Sequence, residues 1–197
     1  MKEKGKKISL PVPQKKGDMS LEETLEKRRS LRAFSKRELK LEEISQLLWA
    51  AQGNNHPEGL RTCPSAGATY PIETYFASQN GLFHYLVDQH KLEIISPNNL
   101  LPSLCHAALE QSFIKNASIV IIFTAISERT TERYGERGIR YIYMEAGHAA
   151  QNVHLQAESL GLGSTPVGAF DDKAICSLLE KKNSLPLYLL AIGDSNN

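Results

Sequence analysis

The feature that most constrains the fold is a long run of helical periodicity between Gly138 and Leu160. Apolar side chains recur there at spacings of three and four residues, and several in the middle of the run are small. The stripe comprises Ile139, Ile142, Tyr143, Ala146, Ala149, Ala150, Val153, Ala157 and Leu160. Such a helix is about 34 Å long at 1.5 Å per residue, and its small side chains let a second backbone approach closely. We therefore predict a long central helix around which a small domain is built.

Short β-prone runs accompany this helix. Ser118–Ala125 is a continuous apolar stretch, which is typical of a buried central strand, and the Asn80-Gly81 pair favours a tight hairpin turn. The predicted strands are Thr74–Ala77, Leu82–Val87, Leu92–Ile95, Ser118–Ala125 and Leu187–Ile192. Because helices and strands do not alternate regularly, we predict an α+β domain in which helices pack on a few-stranded, mostly antiparallel sheet.

Helix signals and composition indicate the domain bounds. Ser20 and Glu23 have the spacing of a capping box, which opens a short helix. Further helices are predicted at Leu41–Ala51, Leu100–Leu109 and Asp171–Lys181, with a crossover segment at Thr165–Ala169. Residues 1–19 are rich in Lys, Pro and Gly, and we expect an N-terminal arm there that packs through Ile8 and Leu10. Residues 20–197 are expected to form one domain.

The charge balance and the cysteines narrow the possible functions. A formal net charge of +1 provides no overall field to attract nucleic acid or an anionic membrane. No apolar stretch reaches the roughly 18 residues that a membrane span needs. The three cysteines lie far apart and form no Cys-x-x-Cys pair, so we expect neither a disulfide framework nor a metal site, and a reducing cytoplasm is favoured.

Three segments carry residues suited to binding a ligand. The first is Arg28-Arg29-Ser30-Leu31-Arg32, which places three guanidinium groups and a hydroxyl within five residues. Guanidinium groups form paired, charge-assisted hydrogen bonds with phosphate. Taken alone, the segment is more simply explained as a solvated basic surface or, less readily, as a nucleic-acid patch.

The other two segments are rich in small residues and proline. Pro64 to Pro71 is a stiff stretch whose backbone amides and hydroxyls can lie against a flat ligand, and Gly161 to Phe170 contains a Pro-x-Gly backbone that can pass close to a ring. Each of them, taken alone, is also explained by a structural turn. The second is not a dinucleotide-binding fingerprint, because no strand is predicted before it and no long helix after it.

In combination, these segments resemble the nitroreductase family. The resemblance rests on five motifs in order: Arg28-Arg-Ser-x-Arg32-x-Phe34, Leu47-Leu-Trp-Ala-Ala-Gln-Gly53, Pro64-Ser-Ala-Gly-Ala-x-Tyr-Pro71-x-Glu73, Arg137-Gly-x-Arg-Tyr-x-x-x-Glu145-Ala-Gly-His148-Ala-Ala-Gln-Asn152 and Leu160-Gly-Leu-Gly163 with Gly168-Ala-Phe-Asp-Asp172. In detail the pattern is closest to the SagB-type peptide-azoline dehydrogenase branch. It covers nearly the whole chain, from about Ile8 to Gly193.

The resemblance implies a homodimer with FMN at the subunit interface and the central helix as a dimerisation element. It implies that the FMN phosphate is bound by Arg28, Arg29 and Ser30, and that Arg32 reaches the ribityl chain or the pyrimidine edge of the ring. A second contact set would come from the partner subunit: Pro64, Ser65, Ala66 and Gly67. A third would run under the ring and offer a backbone amide near N5: Pro166, Val167, Gly168 and Ala169. No catalytic side chain is implied, because the flavin N5 carries the hydride.

The chain departs from the family at its C-terminus. Many relatives carry a basic phosphate ligand there, whereas Leu190 to Asn197 contains none. Arg137 or Arg140 are alternative cations, although Arg140 could instead pair with Glu145. His148 and Asn152 lie one turn apart on the long helix and could face the flavin, but a buried, hydrogen-bonded His148 is the favoured expectation.

The resemblance implies an FMN-dependent oxidoreductase, for which we considered three functions. The first is ping-pong hydride transfer from NAD(P)H or an organic donor to an acceptor such as a nitro compound or a quinone. The second is a SagB-type dehydrogenase that oxidises peptide azolines to azoles. The third belongs to another class, a non-catalytic flavin-binding protein.

Overall fold

A computed structural model describes residues 3–35 and 37–195 of the chain. The helices are α1 (Leu21–Lys27), α2 (Leu41–Gln52), α3 (Leu101–Ala107), α4 (Phe113–Asn116), α5 (Glu128–Tyr134), α6 (Arg137–Ser159) and α7 (Asp172–Leu178). The strands are β1 (Lys7–Ser9), β2 (Phe34–Ser35), β3 (Ile72–Ser78), β4 (Gly81–Leu86), β5 (Lys91–Ser96), β6 (Ile119–Ala125), β7 (Leu162–Val167) and β8 (Leu185–Ser195). Two short 3₁₀ helices lie at Ala66–Ala68 and Val87–Gln89.

One antiparallel sheet contains all of the strands in the described residues. Its order is β1-β5-β4-β3-β6-β8-β2, and β7 pairs with β8 off this path. The apolar run expected to form a central strand is β6, which lies between β3 and β8 with all seven residues buried. The predicted α+β class and the mostly antiparallel sheet are confirmed.

The long helix is α6, as the periodicity predicts. It has 23 residues, and its buried side chains pack with α2 against one face of the sheet, while α3, α4 and α7 cover the other face. Gly161 follows with φ +69°, a left-handed conformation that glycine adopts without steric cost, and the chain turns there into β7.

Two details of the helix differ from the prediction. Tyr143 belongs to the apolar stripe in the sequence, yet its side chain is 55% exposed, beside Met144 at 52%. Glu145, in contrast, is buried at 3% exposure. The helix therefore carries a second, outward apolar patch, and it turns one carboxyl group into the core.

The segment between α6 and α7 also differs from the prediction. A crossover was expected at Thr165–Ala169, but Leu162–Val167 is a strand that pairs with β8 from Leu162↔Asp194 to Val167↔Leu189. Its glycine and its proline hide the strand pattern in the sequence, because these residues are depleted in strands.

The N-terminal residues are partly ordered by the sheet. Lys7–Ser9 pairs with β5 as an edge strand, and Leu10 is buried in the core. The capping box at the start of α1 is confirmed: the Ser20 hydroxyl accepts from the Glu23 amide at 3.1 Å, and the Glu23 carboxylate accepts from the Ser20 amide at 2.9 Å.

Candidate flavin site

The Arg28–Arg32 segment lies against β7. Arg28 ends α1, where its amide donates to the Thr24 carbonyl. Ser30 then forms an isolated parallel bridge with Ser164, and the Leu31 amide donates to the Ser164 carbonyl at 3.0 Å. Backbone hydrogen bonding thus holds the arginine-rich segment in a fixed register on the sheet.

Two cross-strand glycines allow this close approach. Gly163 of β7 pairs with Gly193 of β8. A Cβ atom on Gly163 would lie 3.1 Å from Leu31, and one on Gly193 would lie 2.9 Å from Phe34. The absence of both Cβ atoms gives room for the chain that follows the arginines to cross the sheet.

The arginines of this segment have no carboxylate partners in the described part of the chain. The Arg29 guanidinium donates only to the backbone carbonyls of Glu26 and Arg28, and the Arg32 guanidinium lies 5.8 Å from the centre of the Phe113 ring. The ion pairs of the described residues involve other groups. Three cations therefore lie in one short stretch without a protein counterion.

A buried histidine contacts β7 at the same residue, Ser164. His154 of α6 hydrogen-bonds through Nδ1 to the Ser164 hydroxyl at 2.7 Å. Burial and the nearby positive charge of Arg28 lower the pKa of His154 to about 4. The imidazole is therefore neutral at physiological pH, and the positive charge of this region comes from the arginines.

The Pro166–Ala169 segment continues directly from this contact. Val167 is buried, Pro166 is half-buried, and Gly168 and Ala169 are exposed. Pro166 is two residues beyond Ser164, a distance of about 7 Å along a strand. The Thr165 hydroxyl between them is buried without a hydrogen-bond partner among the described residues. The structure thus brings the first and third predicted contact sets to one site.

The Pro64–Gly67 segment lies elsewhere in the chain. Gly67 has φ +60°, and a Cβ atom there would lie 2.6 Å from the Tyr134 hydroxyl. The Gly67 carbonyl accepts from Arg133 at 3.2 Å, and the Ser65 hydroxyl accepts from the Tyr70 amide at 3.0 Å. Within the described residues, the contacts of this segment are with α5, α6 and its own loop, not with Arg28–Arg32 or Pro166–Ala169.

The structure resolves two open assignments on α6. Arg140 is exposed and does not pair with Glu145, because that carboxyl group points into the core. The expectation of a buried His148 is wrong, since this side chain is exposed. Arg137, Arg140, Tyr143 and Met144 instead line a shallow surface cavity of about 750 Å³ on the outer face of the helix.

A buried polar cluster around Glu145 was not predicted from the sequence. The Arg61 guanidinium donates to the Gln52 side chain at 3.0 Å and lies 4.4 Å from the centre of the Tyr70 ring. Glu145 faces Arg61, Gln52 and Ser65, and burial raises its pKa to about 7. The sequence offers one signal for this cluster: the charged residue Glu145 interrupts the apolar face of the helix.

Two further kinds of site are absent from the described residues. Residues 3–35 and 37–195 contain no group of three or more His, Cys, Asp or Glu side chains placed to hold a metal ion. In the same residues, no helix has the length and apolar character required to cross a bilayer.

The chain belongs to the nitroreductase family, which it matches over residues 25–194. A Methanocaldococcus jannaschii protein named as a nitroreductase is 44% identical over 182 residues, which cover 89% of this chain and 91% of that protein. The microcin B17-processing protein McbC of Escherichia coli is 28% identical over 178 residues, which cover 82% of this chain and 65% of McbC. A crystal structure of a nitroreductase-type protein from Ralstonia eutropha has a TM-score of 0.87 at 30% identity, covering 97% of this chain and 90% of that one.

These similarities confirm the family and the fold expected from the five motifs. The match to McbC is a likeness to a microcin-processing protein at lower identity.

The close contact at Gly193 leads to a prediction about the stability of the fold. Gly193→Ala should displace Phe34, because the new Cβ atom would overlap its ring, and should lower the free energy of unfolding by about 1–3 kcal/mol. Chemical denaturation measures this loss. Gly17→Ala is the matched control, since its Cβ atom would lie at an ordinary 3.6 Å from the Ser159 hydroxyl. Equal stability of the two variants would contradict a tight crossing at Gly193.

Proposed function

We propose that this chain is an FMN-dependent oxidoreductase that transfers hydride between an organic donor and an acceptor. The observation that carries the proposal is the pairing of Ser30 with Ser164. It sets three arginines, which have no carboxylate partners among the described residues, against the strand that leads to the exposed residues Gly168 and Ala169. An anion with an attached planar group suits this combination of charge and exposed backbone.

The residues of the site fit FMN. Arg28, Arg29 and Ser30 would bind the phosphate, since guanidinium groups without a protein counterion gain most from a phosphate dianion. Arg32 would bind the ribityl chain or the pyrimidine edge of the ring, and Pro166 to Ala169 would lie under the ring. The Thr165 hydroxyl, which has no hydrogen-bond partner among the described residues, is a polar group for which a ligand or water would be a partner. Bound FMN would supply two-electron redox chemistry, which protein side chains do not supply.

A homodimer completes the proposed site. Pro64–Gly67 makes its contacts on α5 and α6, away from the arginines, so a second copy of the chain would supply this segment to the flavin. The outer face of α6 suits such an interface: Tyr143 and Met144 are more than half exposed, and no atom lies within 4 Å of a Cβ built on Gly147. Small and apolar residues together let two helices pack closely.

Two directions of the reaction are compatible with this site. Similarity to the M. jannaschii protein named as a nitroreductase favours NAD(P)H as donor and a nitro compound or quinone as acceptor, in a ping-pong sequence. Similarity to McbC favours the second candidate, a SagB-type dehydrogenase that oxidises azolines in a peptide. A third possibility, a protein that only binds flavin, makes no use of the exposed backbone beside the ring.

Absorbance of the purified protein distinguishes these functions. We expect a yellow protein whose colour is bleached by NADH or NADPH without oxygen and restored by a nitroaromatic compound or a quinone. Colour that only an azoline-containing peptide bleaches would favour the SagB-type reaction. Colour that no donor bleaches would leave flavin binding alone, and a colourless protein that takes up no added FMN would contradict all three functions.

The arginine segment generates a prediction about cofactor affinity. Arg28→Ala combined with Arg29→Ala should weaken FMN binding at least tenfold, because losing one charge-assisted hydrogen bond costs about 1.5–3 kcal/mol. Titration of the apoprotein with FMN measures the dissociation constant. The control is Lys181→Ala with Lys182→Ala, which removes two charges from exposed positions outside the site. Unchanged affinity in the arginine variant would place the phosphate elsewhere.

The outer face of α6 generates a prediction about assembly. Met144→Glu would place a charge on the proposed interface and should convert a dimer into a monomer of 21.9 kDa, with loss of FMN. Light scattering during gel filtration gives the mass. Leu109→Glu is the control, because Leu109 is 65% exposed and lies outside this helix. A wild-type protein that is already monomeric at micromolar concentration would contradict the interfacial site.

A further inference from the structure

A polar cleft lies where strands β3 and β4 separate. The two strands pair as far as Tyr75↔His84, but β3 begins before Tyr75, at Ile72, and β4 continues beyond His84 to Leu86. In these extensions β3 pairs only with β6, and β4 only with β5. Residues of both extensions line a cavity of about 410 Å³, a volume in the range of small-molecule sites. We call it the β3–β4 cleft, and its charged or hydrogen-bonding lining includes Arg61, Glu73, Thr74, His84, Asp88 and Arg129.

The carboxylate of Glu73 already has two partners inside the cleft. It lies 2.6 Å from Nε2 of His84 and 2.6 Å from Nη1 of Arg129. Arg129 also donates to the Tyr70 carbonyl at 3.0 Å, which fixes the position of its guanidinium. One wall of the cleft is therefore an ordered polar network whose positive and negative charges are in contact.

Arg61 is a cation of the same cleft that lacks such a partner. Its guanidinium donates to the Gln52 side chain at 3.0 Å and lies 4.4 Å from the centre of the Tyr70 ring. Among the described residues, no carboxylate lies within 4 Å of it. Arg61 is half-buried, and burial lowers its pKa, although more distant carboxylates favour the charged form. An anion that entered the cleft would therefore find a cation whose close contacts are all with neutral groups.

A second group without a partner lines the cleft. Thr74 is 1% exposed, and its hydroxyl has no hydrogen-bond partner among the described residues. Buried polar groups are nearly always hydrogen-bonded, to protein or to water or a ligand. Thr74 belongs to β3, whereas Arg61 belongs to the loop after α2, so two separate parts of the chain each present an unsatisfied group to one cavity.

We propose that the β3–β4 cleft binds a small monocarboxylate, whose carboxylate group contacts the Arg61 guanidinium and the Thr74 hydroxyl. A planar guanidinium forms two parallel hydrogen bonds with a carboxylate. A single negative charge fits better than a phosphate dianion, because the carboxylates of Glu73 and Asp88 line the same cleft and would repel the additional charge. Neither Arg28–Arg32 nor Pro166–Ala169 lines this cleft, so the site is separate from the one proposed for FMN and does not depend on it.

Acetate is the simplest probe of the site. Titration of the isotope-labelled protein with sodium acetate, at constant ionic strength, should give saturable NMR shifts of the Thr74 amide and of the Arg61 Nε–H group. Acetamide has nearly the same shape without the charge, and it should give no saturable shift at these positions. Shifts that do not saturate, or that equal those caused by acetamide, would overturn the proposal. Tighter binding of inorganic phosphate than of acetate would overturn the assignment to a monocarboxylate.

A pair of threonine variants tests the hydroxyl contact. Thr74→Val keeps the size of the side chain and should weaken acetate binding about two- to tenfold, as expected for the loss of one hydrogen bond. Thr124→Val is the matched control. Thr124 lies on the neighbouring strand β6, is also buried and also has a hydroxyl without a partner among the described residues, but it does not line the cleft. The same affinity in both variants would contradict the contact with Thr74.

A charge variant tests the guanidinium contact. Arg61→Gln should weaken acetate binding at least about tenfold, because it removes a charge-assisted hydrogen bond. Lys173→Gln removes one positive charge from an exposed position outside the cleft and should leave the affinity unchanged. The threonine pair decides the matter if Arg61→Gln does not fold. A folded Arg61→Gln protein that binds acetate as tightly as the wild type would refute the site.

Discussion

The proposed site depends on one short contact, the backbone bridge between Ser30 and Ser164. It joins the segment that follows α1 to the strand β7. Without it, three arginines would lie on a mobile connection, and their charge would be spread over many conformations. With it, they lie against a strand that leads into two exposed residues, Gly168 and Ala169. Gly163 and Gly193 make the contact possible, because side chains there would occupy the space of Leu31 and Phe34.

The central helix places the other parts of the molecule relative to that contact. Near its C-terminal end, His154 forms a hydrogen bond with the Ser164 hydroxyl. Because the His154 imidazole is neutral, the arginines are the source of positive charge there. Nine residues earlier, about 14 Å along the helix axis, Glu145 faces the loop that carries Pro64 to Gly67. One rigid element thus connects the proposed phosphate contact of one chain with the segment that, in the proposed dimer, serves the flavin of the other.

The sequence contains enough information to predict the main elements of this fold. The period of the apolar residues in α6, the continuous apolar run of β6 and the Ser20–Glu23 capping box each have a direct local cause, and each is confirmed. The five ordered motifs identify the family because they combine residue types that rarely occur together by chance. The roles of the individual contact residues stay predictions.

Other features were not predictable, because their causes are not local. The strand β7 contains glycine and proline, and it is stabilised by its partner β8 rather than by its own propensity. The role of Gly193 depends on Phe34, which is far away in sequence. Tyr143 is exposed and Glu145 is buried, the opposite of what their polarity predicts. The cause is the orientation of α6, which packs on the sheet with one face and turns its other face outward.

The relative affinity of the protein for FMN and riboflavin tests the central claim most directly. The two ligands differ only in the phosphate, so the ratio of their dissociation constants isolates the contribution of the arginine segment. Two charge-assisted hydrogen bonds of about 1.5–3 kcal/mol each predict that FMN binds at least about 100-fold more tightly than riboflavin. Equal affinity for the two ligands, measured by calorimetric titration of the same apoprotein, would contradict the account.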